Sequence, residues 1–187
     1  MIKLTKEELL TIDKTKLSGK VLCFVTDTVY GIGVMVDDNI KTGLDKIYQM
    51  KKRDSNKPLA VLAGNINQFI DHVILNKQTS NLFNDWPGAL TIIFKKKDSF
   101  FDLVTNLDTI GIRIPNCNIT LDILNHLGLI ATTSVNLSSF EPLNNLDEII
   151  NSFGEYIDYC VTDTFPLSKT SSKVVDATTD EIKILRK

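Results

Sequence analysis

Four short polar stretches, each beside an apolar segment, contain the side chains that could do chemistry. The first is "TDTVYG" (residues 26–31), which places hydroxyls, a carboxylate and a phenol between two apolar runs. Such a stretch is typical of a tight turn, in which Asp27 and the threonine hydroxyls bond to the backbone. It is equally typical of the polar rim of a ligand site, and the sequence alone leaves both interpretations open.

The second stretch, "KKRDSNKP" (residues 51–58), is basic and follows a predicted helix. Cations at a helix C-terminus interact favourably with the macrodipole, by about 0.3–1 kcal/mol each, and charge alone slightly favours this structural role. The functional alternative is a polyphosphate site. There Arg53 would supply paired donors, and Lys51 and Lys57 would supply point charges.

The third and fourth stretches are rich in hydroxyls at the ends of predicted strands. "TTSVNLSS" (residues 132–139) follows the apolar "LIA", and "TSSKVVD" (residues 170–176) leads into a strand. Each is compatible with a polar loop, or with a loop whose hydroxyl and backbone N–H donors hold phosphate oxygens. Arg113 lies in the apolar "TIGIRIP" and needs a partner, because an unpaired buried guanidinium is very costly. A structural carboxylate or a ligand carboxylate would serve.

Several common catalytic and binding motifs do not occur in the sequence. There is no GxxxxGK[ST], which excludes a P-loop, and no GxGxxG after a strand, which disfavours a dinucleotide fold. His72 and His126 are the only histidines, and without CxxC or HxxxH spacing a permanent zinc site is not expected. No Ser/His/Asp arrangement can be nominated. An enzyme built from these residues would work mainly by positioning and charge stabilisation.

Strands and helices alternate along the chain, and the polar stretches fall between them. Apolar runs predict strands at residues 20–26 and 30–36, and helical spacing of apolar side chains predicts a helix from Ile40 to Met50. Further strands are predicted in "PLAVLAG", "PGALTIIFK", "TIGIRIP", residues 129–133, "DYCVT", "KVVDAT" and "EIKILR". Further helices are predicted in "INQFIDHVI", in residues 121–127, and up to Phe153 from a cap at Asp147. The pattern predicts an α/β fold: a single domain over residues 1–187, with a twisted mixed β-sheet flanked by helices.

Composition narrows the class of protein. A chain of 187 residues is long enough for one buried core. Its net charge of −2 does not favour a protein whose main function is to bind nucleic acid, since such proteins are usually basic overall. No apolar run approaches the roughly 20 residues of a membrane span, and the charged N-terminus lacks a signal-peptide core, so we expect a cytoplasmic protein. Cys23, Cys117 and Cys160 are widely spaced, which predicts reduced, buried thiols.

Taken in order, these segments resemble the YrdC/Sua5 family of threonylcarbamoyl-AMP synthases. "TDTVYGIG", "KKRDSNKPL", "WPGALTIIF", "IGIRIP", "TTSVNLSS" and "SSKVVDAT" with the final "ILRK" are similar to the successive motifs of that family. The chain departs from the usual residues at Val25 and Asp54, where proline is common, and at Val135 and Ser139, where alanine and glycine are common. Leu62 falls where many longer members have a histidine against threonine.

The resemblance implies a YrdC-like fold with a concave, positively charged ligand cavity. It implies condensation of L-threonine, bicarbonate and ATP to threonylcarbamoyl-adenylate and pyrophosphate. The product would serve downstream threonylcarbamoyl-transferase proteins that modify adenosine 37 of tRNAs reading ANN codons. Mg²⁺ would bind through the ATP phosphates and not through a dedicated set of protein ligands. The chain would be the short, single-domain form without the C-terminal Sua5 domain.

The resemblance also implies roles for individual residues. The residues expected to bind threonine are Thr28, Tyr30, Arg113, Thr132 and Ser172, with Arg113 on the carboxylate. The residues expected to bind ATP are Lys51, Arg53, Lys57, Ser134, Asn136 and Arg186.

Two alternatives belong to other functional classes. One is a YrdC-like module without synthase activity that binds tRNA or double-stranded RNA on a basic concave face, with strong salt dependence. The other is a relative that transfers carbamoyl groups in hydrogenase maturation. It is disfavoured because such proteins contain acylphosphatase and zinc-finger modules that are not found in this sequence.

Overall fold

The computed structural model describes residues 1–54 and 57–187, and the described strands form one mixed sheet. The strands are β1 (Ile2–Leu4), β2 (Leu22–Phe24), β3 (Gly31–Met35), β4 (Ala60–Leu62), β5 (Val73–Ile74), β6 (Leu90–Lys96), β7 (Thr109–Arg113), β8 (Ile130–Ser134), β9 (Tyr159–Val161), β10 (Lys173–Asp176) and β11 (Lys183–Arg186). Their order is β1-β9-β2-β3-β8-β4-β7-β6-β10-β11, and β5 pairs with β6. The pairs β1/β9, β2/β9, β4/β7 and β6/β10 are parallel, and the other pairs are antiparallel.

The helices are short, and most connect strands that are not direct neighbours in the sheet. They are α1 (Lys6–Leu10), α2 (Lys14–Leu17), α3 (Ile40–Lys51), α4 (Thr79–Leu82), α5 (Asn118–Leu127) and α6 (Leu146–Phe153). The apolar side chains of α3 recur every three or four residues and are buried, as the spacing predicts. Lys52 then adopts a left-handed conformation (φ 49°), which ends the helix immediately before Arg53.

The strands that pass through the centre of the sheet are buried on both faces. All residues of β2 and β3 are buried, and a continuous apolar cluster extends from Leu4 to Ala177. Such strands read as unbroken apolar runs because neither face meets solvent. The three cysteines are buried and free, as predicted. The described part of the chain contains no helix with the length and hydrophobicity needed to cross a bilayer.

The predicted mixed α/β architecture is confirmed, and two local predictions are wrong. "INQFIDHVI" does not form an amphipathic helix but two 3₁₀ turns, Ile66–Gln68 and Ile70–His72, followed by β5. Phe69 separates the turns with a non-helical backbone (φ −142°), and its fully buried ring packs edge-on against Trp86. Tertiary burial of this ring therefore overrides the local helical pattern.

The second correction concerns the start of α6. The capping side chain is that of Asn145, which accepts a hydrogen bond from the Glu148 backbone N–H at 3.1 Å. Asp147 instead lies in the first turn, where its charge favours the helix N-terminus. The predicted end at Phe153 is correct.

Candidate functional site

All four polar stretches reach one cavity of about 380 Å³ on the sheet. Segments that are far apart in the chain line it: the β2–β3 loop, the chain around Arg53, strands β4, β6, β7 and β8, residues 171–174, and β11. Eight of the eleven predicted ligand-binding residues are in the lining: Thr28, Tyr30, Arg53, Arg113, Thr132, Ser134, Ser172 and Arg186. The convergence follows from the strand order, because β3, β8, β4 and β7 are successive neighbours in the sheet.

Three of the predicted residues do not line this cavity. The side chain of Lys51 is buried and points to the loop that follows β8, where it meets Asn136. Asn136 faces a second cavity, on the side of α3 and α6. Lys57 is exposed, and its carbonyl accepts a hydrogen bond from the Tyr48 hydroxyl at 3.0 Å.

Arg113 is the most buried charge of the site, and three groups hold it. Its Nη2 lies 2.5 Å from Asp27 Oδ1, its Nη1 donates to Thr28 Oγ1 at 2.8 Å, and its Nε donates to the Gly88 carbonyl at 2.9 Å. Burial lowers the pKa of Arg113, and the neighbouring Asp27 opposes that shift. A guanidinium has five N–H donors, so these three bonds leave two that a ligand can engage.

The "TDTVYG" stretch forms a turn and also lines the cavity. The Thr26 hydroxyl closes a turn: it donates to the Val29 carbonyl at 2.6 Å and accepts from the Thr28 backbone N–H at 3.1 Å. The Thr28 hydroxyl instead faces Arg113 and the cavity. The backbone N–H of Lys169 donates to the Thr28 carbonyl at 2.8 Å, which ties the chain between β9 and β10 to this loop.

A second arginine approaches the cavity from β11. Arg186 donates from Nε to the Ser172 carbonyl at 2.8 Å and from Nη2 to the Ser172 hydroxyl at 3.3 Å. The same hydroxyl lies 2.8 Å from Thr91 Oγ1. Burial lowers the pKa of Arg186. The pairing of β10 with both β6 and β11 thus creates this corner of the cavity.

Arg53 brings a third guanidinium to the lining, directly after the end of α3. Its Nη2 donates to the Pro58 carbonyl at 2.9 Å. Its Nε is buried and has no hydrogen-bond partner among the residues that the structure describes. An unpaired buried donor is costly, and a ligand anion in the cavity would pair it.

Sequence reasoning missed two residues that shape the site. Asp27 was interpreted as a turn former, whereas its carboxylate is the partner of Arg113. Thr91, in "PGALTIIF", was interpreted only as part of a strand, but it lines the cavity and bonds Ser172. A polar side chain within an apolar run was the signal available for Thr91. Leu62 lines the cavity as well, directly opposite Arg113 in the parallel β4/β7 pair.

Across residues 1–54 and 57–187, no group of three or more His, Cys, Asp or Glu side chains is arranged to hold a metal ion.

The fold and the site together define a class of protein. It is an α/β protein whose mixed sheet supports a cavity with three arginines and several hydroxyls, suited to small anionic or zwitterionic ligands. The family model described as "Telomere recombination", which covers Sua5, YciO and YrdC proteins, matches residues 15–187. The chain belongs to this family.

Curated relatives match over most of their length. A protein of Methanocaldococcus jannaschii is 33% identical over 159 residues, which cover 83% of this chain and 73% of that protein. The threonylcarbamoyl-AMP synthase of Aliivibrio fischeri is 32% identical over 143 residues, covering 73% of this chain and 76% of the relative. That of Photobacterium profundum is 26% identical over 171 residues, covering 88% and 91%.

Solved structures share the fold. P. abyssi Sua5 complexed with L-threonine superposes with a TM-score of 0.83 at 23% identity and covers 99% of this chain. The present chain spans only 56% of that Sua5 chain. E. coli YciO superposes with a TM-score of 0.83 at 20% identity, covering 100% of this chain and 93% of YciO. The predicted YrdC-like fold is therefore confirmed.

Proposed function

We propose that this protein is a threonylcarbamoyl-AMP synthase, a nucleotidyltransferase that condenses L-threonine, bicarbonate and ATP. The observation that supports this most strongly is the convergence of Arg113, Arg53 and Arg186 with several hydroxyl side chains in one cavity. Relatives that match most of the chain are named for the same activity. In this reaction the carbamate of threonine and ATP are both anionic. A cavity with several cations suits them, because both must be held close together against their repulsion.

The threonine end of the site is proposed to lie at Arg113. Its two unused N–H donors would bind the threonine carboxylate, and Asp27 would keep the guanidinium oriented. Thr28, Tyr30, Thr132 and Ser172 line the same cavity and would contact the amine and the side-chain hydroxyl. The complex of P. abyssi Sua5 with L-threonine supports threonine as a ligand of a protein with this fold.

The ATP end is proposed to lie at Arg53, Ser134 and Arg186. The buried Nε of Arg53 has no partner among the described residues, and Ser134 presents its hydroxyl at the end of β8. A guanidinium suits phosphate because it offers donors in a planar fork. Lys57, exposed beside Arg53, would add a long-range positive charge without direct contact in the cavity.

The chemistry proceeds by positioning. The threonine amine forms an N–C bond with bicarbonate, and water leaves, which gives a carbamate. A carbamate oxygen then forms a bond to the α-phosphorus of ATP, and the bond from that phosphorus to the bridging oxygen of pyrophosphate breaks. Arg53 and Arg186 would stabilise the charge that develops on the leaving pyrophosphate. Mg²⁺ bound to the ATP phosphates would neutralise part of the same charge.

The product determines the proposed cellular role. Threonylcarbamoyl-adenylate is a mixed anhydride and must pass to a transferase that moves the threonylcarbamoyl group to a nucleophile. We propose that downstream threonylcarbamoyl-transferase proteins use it in the cytoplasm to modify adenosine 37 of tRNAs that read ANN codons.

Pyrophosphate release tests the proposal. The purified protein with ATP, bicarbonate and Mg²⁺ should release pyrophosphate only when L-threonine is added. Mass spectrometry should show a nucleotide product that is heavier than AMP by a threonylcarbamoyl group. Omission of bicarbonate provides the matched control. Equal release with and without threonine would contradict the proposed reaction.

A further inference from the structure

Lys51, at the C-terminal end of α3, places its ammonium inside the loop that follows β8. Its Nζ lies 2.7 Å from the Ser134 carbonyl, 3.0 Å from the Asn136 carbonyl and 2.6 Å from Asn136 Oδ1. An ammonium has three N–H donors, and all three are used by these oxygens. The residue is only 2% exposed and does not line the cavity of about 380 Å³.

The same loop is held at several further points. Asn136 Oδ1 also accepts from the Ser134 hydroxyl at 2.7 Å, and Asn136 Nδ2 donates to the Phe140 carbonyl at 2.6 Å. Ser138 donates its backbone N–H to the Lys51 carbonyl at 2.9 Å. Both the side chain and the backbone of Lys51 therefore fix the loop that brings Ser134 to the cavity.

We propose that Lys51 is a positioning residue that fixes the 134–138 loop, and with it Ser134, for phosphate binding, and that it does not contact the ATP phosphates itself. This inference rests on the proposed function, since it assigns how that function's ATP end is built. It departs from the role that the basic "KKRDSNKP" motif implies, in which Lys51 and Arg53 both bind the polyphosphate.

The electrostatics of Lys51 agree with an internal structural contact. Burial, with a smaller contribution from the neighbouring Arg53, lowers the pKa of Lys51 to about 8. The oxygens at its ammonium are two carbonyls and one amide oxygen, none of which carries a formal charge. Replacement by an apolar side chain would remove the ammonium from all three oxygens and leave Asn136 Oδ1 with only the Ser134 hydroxyl as donor, and the loss of a donor to buried acceptors is costly.

A double-mutant cycle on ATP affinity tests this role without depending on catalysis. Titration calorimetry measures ATP binding to the wild type, Lys51→Met, Asn136→Ala and the double variant. Each single change should weaken ATP binding by at least about tenfold, as loss of a hydrogen bond to a charged group would. The ATP affinity of the double variant should lie within about twofold of that of the single variant that binds ATP more weakly, because both changes release the same loop.

Arg186→Ala provides the matched control for the cycle. Arg186 belongs to a different corner of the cavity. The fold losses of ATP affinity caused by Arg186→Ala and by Lys51→Met should therefore multiply in the double variant, to within about twofold. In the synthase assay, Lys51→Met should raise KM for ATP while KM for threonine changes by less than about twofold, since Arg113 makes no contact with the loop. If the fold losses of ATP affinity from Lys51→Met and Asn136→Ala multiplied in the double variant, the positioning role would be overturned.

A crystal structure of the wild type with ATP decides the question even if Lys51→Met does not fold. The positioning role requires Lys51 Nζ to stay within hydrogen-bond distance of the Ser134 and Asn136 carbonyls. A phosphate oxygen at about 3 Å from Nζ would overturn it. Failure of the wild type to bind ATP would instead overturn the proposed function, and the role of Lys51 with it.

Discussion

At the scale of single residues, Arg113 combines a buried structural ion pair with a proposed role at the threonine carboxylate. The Asp27–Arg113 pair is largely buried, and such pairs contribute little net stability because desolvation offsets their attraction. The pair is therefore better explained by orientation than by stability. Asp27 and Gly88 fix the plane of the guanidinium, and that plane determines where its two unused N–H donors point.

The first prediction concerns that orientation. Arg113→Lys keeps a positive charge but removes the planar fork, so threonine affinity should fall by at least about tenfold. ATP affinity should change by less than about twofold, because the ATP end lies at other residues. Titration calorimetry with each substrate measures both quantities. Unchanged threonine affinity would refute the assignment of the carboxylate to Arg113.

The second prediction concerns Arg53. Arg53→Ala should reduce ATP affinity by about one to two orders of magnitude, as loss of charge-assisted hydrogen bonds implies. Its unfolding free energy should change by less than about 1 kcal/mol, because the side chain is partly exposed. Lys41→Ala, on the exposed side of α3, removes a charge without approaching the cavity and is the matched control. Equal ATP affinity of the two variants would show that Arg53 does not bind phosphate.

At the scale of elements, the close pairing of β3 with β8 positions the wall of the cavity. Gly33 faces Thr132 across this pair, and a Cβ at Gly33 would lie 2.6 Å from both Ile130 Cγ2 and Thr132 Oγ1. Only glycine permits this approach. The position of Thr132 in the cavity thus depends on a residue in the neighbouring strand.

Gly33→Ala should therefore destabilise the protein by about 1–3 kcal/mol, as overpacking of a core does. Gly111→Ala is the matched comparison within the same sheet, since its added Cβ would lie 3.4 Å from the nearest atom, Thr91 Cγ2. That change should alter stability by less than about 1 kcal/mol. Urea unfolding of both variants measures the difference, and equal destabilisation would mean that β3 and β8 can move apart without cost.

A fourth prediction concerns the loop after β8. Ser139 adopts a left-handed backbone (φ 71°) at the position where the family commonly has glycine. Ser139→Gly should stabilise the protein by about 0.5–1 kcal/mol, because glycine adopts this conformation without strain. Ser138→Gly, at the neighbouring residue without positive φ, should destabilise by a similar amount. Thermal unfolding measures the stability of both variants. If Ser139→Gly destabilised the protein as Ser138→Gly does, the left-handed backbone at Ser139 would not be a source of strain.

At the scale of the whole molecule, the site exists only in the folded sheet. The lining comes from segments between Thr26 and Arg186, so no short fragment of the chain contains it. Ligands that bind only the folded state stabilise it by mass action, by about 2.7 kcal/mol at a concentration of 100 Kd.

The fifth prediction follows from the shared cavity. ATP and L-threonine should each raise the melting temperature, and together they should raise it more than either alone, because they occupy different ends of the cavity. Differential scanning fluorimetry measures the shifts, with sodium chloride at matched ionic strength as the control for salt. If saturating ATP abolished the threonine shift, the two ligands would compete and the proposed arrangement would be wrong.

Local patterns predicted most of the elements and failed where long-range packing competed with them. The regular apolar spacing of α3 and the unbroken apolar runs of β2, β3 and β7 were sufficient to identify these elements. The pattern around Phe69 was helical, yet burial of that ring against Trp86 produced 3₁₀ turns. The cap of α6 was misplaced by two residues because Asn145 and Asp147 are both good capping residues.

The sequence alone determined the family motifs, the alternation of strands and helices, and the polar stretches at their ends, because these depend on neighbouring residues. Only the tertiary structure decided which polar side chains face the cavity. It paired Asp27 with Arg113, 86 residues away, and turned Lys51 towards Ser134 and away from the cavity that Arg53 lines. Such contacts are set by strand order and register, which place distant segments side by side and are not encoded in local spacing.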